Sequence, residues 1–394
     1  MSTAQRPRRR VAVFSPNQSS PSETFVRAHI ERLPFETVHI YGGGWQRRGT
    51  SGWVWPILRY PGWAIGKVAP AAGRTLFARA LAHKLRRLKI DVALAEYGMT
   101  GAEIQDACRL ARVPLVVYFY GFDAFSRSIL EEYLPEYRRM FDSAAAIIAV
   151  SDTIRKRLDE WGAPPERTPH LVCGVDPLRF HGAAPADAQP HFVAVGRFVE
   201  KKAPHLTVLA FRDVFAAHPS ARLSMVGDGA LLGPTRRLAA ALGLEESIEF
   251  LGVQAPEAVA ALLRTARAFV QHSLVAEDGD SEGTPVGILE AQMSGLPVVS
   301  TFHSGIPEVV EDGVTGLLVR EGDAAGMGKM MSRLASDPVL AGQMGTQARE
   351  RALQLFALDT HLAKLAEILE QAAGRQCVLP AKRIPGDSDV GAGN

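Results

Sequence analysis

Short apolar runs alternate with amphipathic stretches along most of the chain. The apolar runs predict strands at 10–14, 37–41, 92–95, 115–119, 146–150, 170–172, 192–195, 222–226, 248–251, 268–270, 297–300 and 316–318. Helical periodicity follows most of them, for example at 153–161 and 286–294. Ser151 is expected to cap the first of these two helices, and Gly295 to end the second. Strands that alternate with helices predict an α/β protein with parallel sheets.

Residues 181–190, HGAAPADAQP, interrupt this pattern and predict a linker. A chain of 394 residues is long enough for two α/β domains. We therefore expect Rossmann-like domains at 1–183 and 190–355 that face a central crevice. A helix at 356–372 is expected to pack back on the N-terminal domain, and 373–394 reads as a disordered tail. Ligands of open α/β sheets bind at the carboxyl ends of the strands, which would line this crevice.

Composition narrows the class of protein. The formal net charge of +2 argues against a general nucleic-acid partner. The three cysteines form neither a disulfide framework nor a CxxC metal pair, which suits a reducing compartment. No apolar run approaches the roughly 20 residues that span a bilayer, and no signal-peptide core follows the basic residues 1–10. We expect a cytoplasmic protein, with peripheral attachment to the inner face of the plasma membrane left open.

The segment EGTPVGILE, residues 282–290, carries the strongest chemical signal. A glycine and a proline open the predicted helix, so the backbone N–H groups of Gly283, Thr284 and Val286 would cradle a diphosphate at the positive end of the helix dipole. Pro285 suits a first helical position. Glu282 and Glu290 could then accept from the hydroxyl groups of a sugar and a ribose. The alternative is a loop acid and a solvated helix acid.

A second signal, GRFVEKK at 196–202, directly follows a predicted strand. Arg197 and Lys202 could neutralise a diphosphate leaving group, because arginine offers a planar fork of donors and lysine a point charge. The alternative, a solvated charged turn, would suit Glu200 and Lys201. It suits Arg197 less well, because Arg197 comes straight off a buried strand.

These segments, with MVGDG, IEFLG and HSGIPEVVEDGVTGLLV, resemble the donor domain of retaining glycosyltransferase family 4, which has the GT-B fold. SETFVRAHIERL, YGFDA, AVSDTIRKRL and GVDPLRF resemble its acceptor domain more loosely. The resemblance implies transfer of a sugar, with retention, from a nucleotide-diphosphate sugar to a glycan or lipid-linked acceptor. It points to enzymes of capsular, exopolysaccharide or colanic-acid synthesis.

Residue roles follow from the same resemblance. Arg197 and Lys202 would bind the diphosphate, with Gly196 and the backbone of 283–286 beside it. Glu290 would bind the ribose, and Glu282 would hold hydroxyls of the donor sugar. The leaving phosphate would itself take the acceptor proton.

One position departs from the family pattern. Relatives commonly carry His-Gly-x-Asp where this chain has Tyr120-Gly-Phe-Asp123. The resemblance implies that this histidine lies beside the reacting sugar and the leaving phosphate. Tyr120 could take over the histidine's role by donating from its hydroxyl, or the acceptor geometry differs, or Tyr120 only packs at a strand end. Asp123 and Glu96 are further candidates on the acceptor side.

No cofactor is expected. Asp278 and Asp280 resemble a DxD metal pair, but Arg197 and Lys202 already offer the charge that a metal would supply. Two rival interpretations remain: a nucleotide-sugar epimerase of the same fold, and a non-catalytic sugar-binding protein.

The segment 45–89 is unusually basic. No acid occurs between Glu36 and Asp91, while 45–89 holds ten lysines and arginines and four of the five tryptophans. Cations interleaved with tryptophan suit an anionic membrane surface. The alternative is a loop whose aromatic rings pack on the N-terminal domain.

Overall fold

The structure, a computed structural model, describes residues 8–18, 23–44, 47–49, 52–53 and 69–374. Their strands form two sheets, each flanked by helices, so the predicted fold class of two Rossmann-like domains is confirmed. Within the described residues, no helix combines the length and apolar character needed to cross a bilayer.

The N-terminal sheet has the order β4-β3-β2-β1-β5-β6-β7. Its strands are β1 (Arg10–Ser15), β2 (Glu36–Tyr41), β3 (Arg48–Gly49), β4 (Gly52–Trp53), β5 (Val92–Glu96), β6 (Leu115–Phe119) and β7 (Ala146–Ala149). All pairings are parallel except those of the short β3 with β2 and β4. The central strands are buried on both faces because helices cover them. The α-helices are Thr24–Arg32, Pro70–Arg87, Gly98–Ala111, Phe122–Phe125, Arg127–Ser143 and Asp152–Glu160.

The C-terminal sheet is parallel, with the order β10-β9-β8-β11-β12-β13. Its strands are β8 (His191–Val195), β9 (Arg222–Val226), β10 (Ile248–Gly252), β11 (Ala268–Val270), β12 (Val298–Thr301) and β13 (Gly316–Val319). Its α-helices are Pro204–Ala217, Leu232–Ala241, Pro256–Arg264, Val286–Ser294, Ile306–Val309, Ala324–Ser336, Pro338–Leu355 and Leu358–Gly374. Strand order reverses at β1/β5 and at β8/β11, and such switch points are where α/β sheets bind ligands.

Two predicted helix ends are confirmed. The Ser151 side chain accepts from Ile154 N at 3.3 Å, which caps the helix Asp152–Glu160. Gly295 has φ +97° and ends the helix Val286–Ser294 in the left-handed conformation.

The predicted strand at 170–172 is wrong, because only a single bridge joins His170 to Ala149. The carbonyl of Leu171 accepts from the Tyr118 hydroxyl, and that of Val172 accepts from His361. Side chains therefore occupy the acceptors that a neighbouring strand would need.

The helix Leu358–Gly374 lies against the N-terminal domain, near β5 and β6. Val175 N donates to Phe356 O, and Leu358 N donates to Val175 O, both at 2.9 Å. Of the predicted tail, residues 375–394 lie outside the described residues.

Candidate functional site

The turn that follows β8 places two cations at the carboxyl end of the C-terminal sheet. Arg197 is exposed, and its side chain has no hydrogen bond or ion pair within the described parts of the chain. Lys202 is largely buried: its Nζ lies 2.9 Å from Glu282 Oε1 and donates to Gln271 Oε1 at 3.2 Å. Its stem passes Gly196, where a Cβ would come within 3.3 Å of Lys202 Cε.

Lys202 and Glu282 form a charged pair in a poorly solvated place. Burial lowers the pKa of Lys202, against the opposing effect of Glu282. Burial also works to raise the pKa of Glu282, but the charges of Lys202 and Lys201 outweigh it, so the net direction is downward. Glu282 is therefore ionised and holds Lys202 in place.

The expected solvent exposure of Lys201 and Arg197 is wrong, because Lys201 is buried and Arg197 is exposed. Lys201 is 6% exposed, and its Nζ donates to Asp280 Oδ1 at 2.9 Å and to Ser281 O at 3.1 Å. The 3₁₀ turn Glu200–Lys202 directs Lys201 inward against the loop after β11, while Arg197 stays in the open. Asp280 thus has a lysine partner, and the Asp278 carboxylate accepts from Ser126 Oγ and from the backbone N of Asp280.

The Glu282 loop is held by side chains that sequence reasoning missed. Glu282 N donates to His303 Nε2 at 3.1 Å, and His303 Nδ1 donates to Glu321 Oε1 at 2.6 Å. Ser304 Oγ donates to Glu282 O. The only sequence signal for His303 is its place directly after a buried strand in the segment HSG.

Glycines bring this loop against the N-terminal domain. A Cβ on Gly283 would lie 2.0 Å from Tyr120 O, and one on Gly305 would lie 2.2 Å from Gly283 O. Thr284 Oγ1 also donates across the domain boundary to Val150 O at 3.1 Å. The two domains therefore meet at the loop that carries Glu282.

The helix Val286–Ser294 starts at Pro285 with no side-chain cap. In the described part of the chain, the N–H groups of Gly283, Thr284 and Val286 have no hydrogen-bond partner. Unpaired N–H groups at the N-terminus of a helix can bind an anion.

Glu290 lies inside this helix and is 8% exposed. Its carboxylate has no hydrogen bond or ion pair to any described residue. Burial raises its pKa to about 8, with Arg179 acting in the opposite direction. A buried carboxylate without a partner is costly unless a ligand supplies one.

The acceptor-side candidates are buried. Asp123 accepts from Tyr120 N at 3.0 Å and Gly121 N at 2.9 Å through Oδ1, and from Gly98 N at 2.8 Å through Oδ2. Glu96 accepts from the Tyr120 hydroxyl through Oε2, while its Oε1 lies 2.8 Å from His29 Nδ1. Both carboxylates are 0% exposed, so neither is open to an acceptor in this conformation. Tyr120 is half-buried and is the member of this group that reaches the surface.

A crevice of about 640 Å³ opens between the domains beside the Glu282 loop. Its wall is mixed, with apolar, basic and acidic side chains. It is lined by Phe125, Arg127, Leu130, Glu131, Leu134, Thr153 and Arg157 of the N-terminal domain and by Val275, Asp278, Gly279, Ser281, His303, Ser304 and Glu321 of the C-terminal domain.

Two family models together cover most of the chain. Residues 7–179 match Glycosyltransferase Family 4, and residues 180–351 match Glycosyl transferases group 1. A putative colanic acid biosynthesis glycosyltransferase, WcaL of Salmonella typhimurium, is 35% identical over 71% of this chain and 70% of that protein. The amylovoran biosynthesis glycosyltransferase AmsK of Erwinia amylovora is 31% identical over 78% of this chain and 77% of that protein.

Solved structures agree on the fold. Anabaena HepE in complex with UDP-glucose superposes with a TM-score of 0.72 over 91% of this chain and 99% of that chain, at 19% identity. The family and the enzyme class predicted from the sequence are thus confirmed: the chain belongs to glycosyltransferase family 4 and is a glycosyltransferase with the GT-B fold.

Proposed function

We propose that the enzyme transfers a sugar, with retention at the anomeric carbon, from a nucleotide-diphosphate sugar to a glycan or lipid-linked acceptor in bacterial surface polysaccharide synthesis. The unpartnered, buried Glu290 beneath an open helix start is the observation that carries the proposal. A ribose diol would supply the partners that this carboxylate lacks. The names of the WcaL and AmsK relatives support an exopolysaccharide product.

The donor roles are assigned to side chains on adjacent strands. Arg197 and Lys202, after β8, would bind the diphosphate together with the N–H groups of Gly283, Thr284 and Val286, after β11. Glu282 would hold donor-sugar hydroxyls while it keeps Lys202 in place. HepE was solved with UDP-glucose, which supports a nucleotide-sugar donor of the same kind.

The reaction breaks the bond between the anomeric carbon and the diphosphate oxygen. The acceptor oxygen forms the new bond on the same face of the sugar, and a leaving phosphate oxygen takes the acceptor proton. Arg197, Lys202 and the helix start would stabilise the charge that develops on the diphosphate. We propose that no metal is required, because these groups supply the positive charge.

Calorimetry with UDP-, GDP- and ADP-sugars tests the donor site. One of these donors should bind, and Lys202→Ala and Arg197→Ala should each weaken binding about tenfold or more, as expected for hydrogen bonds to a charged group. Glu245→Ala, which removes an exposed acid of the same domain, should leave binding unchanged. NMR of the glycoside formed should show the anomeric configuration of the donor. An inverted product, or donor consumed without an acceptor, would contradict the proposal.

A further inference from the structure

A chain of buried hydrogen bonds runs from Tyr120 into the N-terminal domain. The Tyr120 hydroxyl donates to Glu96, and Glu96 Oε1 lies 2.8 Å from His29 Nδ1. His29 Nε2 lies 2.8 Å from His361 Nε2, and His361 Nδ1 lies 2.8 Å from Val172 O. Glu96 and His29 are 0% exposed and His361 is 3% exposed, so these side chains are shielded from bulk solvent.

The donor and acceptor of each hydrogen bond in this network follow from the contact between His361 and Val172. The carbonyl of Val172 can only accept, so His361 carries a proton on Nδ1. Burial lowers the pKa of His361 to about 3, with His29 adding to the effect, so its ring is neutral and Nε2 is a bare acceptor. His29 must then donate to it from Nε2.

One further proton must lie between His29 Nδ1 and Glu96 Oε1. It makes either an imidazolium beside a carboxylate or a neutral imidazole beside a carboxylic acid. In both forms Glu96 Oε2 accepts a hydrogen bond, so the single hydroxyl proton of Tyr120 is donated to Glu96. The phenol oxygen then has no proton left for a further partner and can only accept a hydrogen bond from it. This differs from the expectation that Tyr120 donates a hydrogen bond in the place of the family histidine.

We propose that His29 and His361 are positioning residues of Tyr120, which direct its hydroxyl proton to Glu96 and leave its oxygen to accept from a sugar hydroxyl. The proposal rests on the proposed function and on the place of Tyr120, which stands where relatives carry the histidine and whose backbone O lies against Gly283 of the Glu282 loop. It makes the helix Leu358–Gly374 part of the catalytic apparatus, because His361 reaches His29 only when this helix is docked. Gly174 permits that docking, since a Cβ there would lie 2.6 Å from His361 Cβ.

NMR of the full chain with ¹⁵N-labelled histidine rings tests the proton arrangement without any substrate. His361 should be the neutral Nδ1–H form, and His29 should carry a proton on Nε2 at neutral pH. His29→Gln and His361→Gln assign the two rings among the eleven histidines. An Nε2–H form of His361, or a charged His361, would overturn the network.

Kinetics test the positioning role. His29→Leu and His361→Leu should each lower kcat about tenfold or more, while the Kd values for UDP, GDP and ADP stay as in the unmodified enzyme. Glu96→Gln should recover most of the kcat that Glu96→Leu loses, because its amide can donate to His29 and its carbonyl can accept from Tyr120. His181→Leu, in the exposed linker, is the matched control.

The outcomes separate the two proposals. Equal losses in folded Glu96→Gln and Glu96→Leu would overturn the positioning role. An absence of transfer with every donor would overturn the proposed function and, with it, the role of Tyr120. The wrong histidine tautomers would overturn the network alone.

Discussion

Glu282 and Glu290 belong to one nine-residue segment but stand in opposite electrostatic states. Lys202 and Lys201 hold the pKa of Glu282 below its usual range despite burial. Glu290 has no such neighbour, and burial raises its pKa to about 8. Environments that shift the pKa values of two carboxylates in opposite directions suit the two groups to different tasks. Glu282 is ionised at neutral pH, whereas Glu290 is mostly protonated until a ligand stabilises its charged form.

Donor binding should therefore release a proton from Glu290. Ribose hydroxyls that donate to this carboxylate favour its ionised form and lower its pKa in the complex. Between the bound pKa and about 8, affinity should rise with pH, because the free protein binds the extra proton. Calorimetry at pH 7 in two buffers of different ionisation enthalpy should show release of up to about one proton per nucleotide.

Glu290→Gln should remove this proton release, while Glu245→Gln should leave it unchanged. Glu290→Gln should also flatten the dependence of the free energy of unfolding on pH in the unliganded enzyme. A raised acid pKa contributes stability at low pH that is lost as pH rises from about 4.5 to about 8. Proton release that persists in Glu290→Gln would place the titrating group elsewhere.

The Glu282 loop is the element at which the proposed donor site meets the N-terminal domain. His303, oriented by Glu321, holds its backbone, and glycines let it touch the N-terminal domain. At Gly283 the requirement is for space, since a Cβ would lie 2.0 Å from Tyr120 O, an immobile backbone atom. In the proposed function the loop would bind nucleotide with groups of one domain alone, whereas its contact with Tyr120 needs both domains.

Gly283→Ala should uncouple these two properties. The added methyl must push the domains apart, so kcat should fall about tenfold or more, while the Kd for nucleotide changes by less than about threefold. Small-angle X-ray scattering with nucleotide bound should report a larger radius of gyration than for the unmodified enzyme.

The matched control is Gly233→Ala, at an exposed position in the helix Leu232–Ala241, where a Cβ meets only the flexible end of Arg237. The added methyl there meets no backbone atom of another element, so this variant should keep full activity. An equally compact and active Gly283→Ala enzyme would show that the close contact is not needed for turnover.

Periodicity predicted elements well where apolar residues repeat strongly, and the helix Val286–Ser294 has its predicted bounds. It missed the helix Pro70–Arg87, whose buried stripe of Gly73, Phe77, Leu81 and Leu85 begins with a glycine and is interrupted by cations. It also could not predict the partners of the site. His303 meets Glu321 across 18 residues and His29 meets His361 across 332, and only the folded sheets bring such pairs together.

At the scale of the whole molecule, the basic segment 45–89 is distributed over different environments. Arg47 is 1% exposed and bonds to Glu103, so it is not available to a membrane. Trp45, Trp55 and Trp63 lie outside the described residues, and the backbone of Trp53 belongs to β4. The helix Pro70–Arg87 packs its apolar stripe on the helix Gly98–Ala111. Positions 79, 83, 86 and 87, spaced by three or four, remain exposed on the other side and carry three arginines and a histidine.

We therefore predict that this face docks on anionic membrane, where a lipid-linked acceptor would lie. Each cation near such a surface contributes about 1 kcal/mol, and screening should weaken the attraction as the Debye length falls from about 10 Å at 0.1 M salt to about 3 Å at 1 M. Co-sedimentation with phosphatidylserine vesicles should show binding that declines with salt, and Arg79→Glu with Arg87→Glu and Lys89→Glu should abolish the salt-sensitive part. Reversal of Arg237, Arg264 and Lys329, exposed cations of the C-terminal domain, makes the same change in net charge and should leave binding intact.

Binding that survives 1 M salt should depend on the tryptophans and disappear in Trp53→Ala with Trp55→Ala. If the unmodified enzyme stays in the supernatant at low salt, or if both sets of charge reversals act alike, the basic helix is not a docking surface and a soluble acceptor becomes the better proposal.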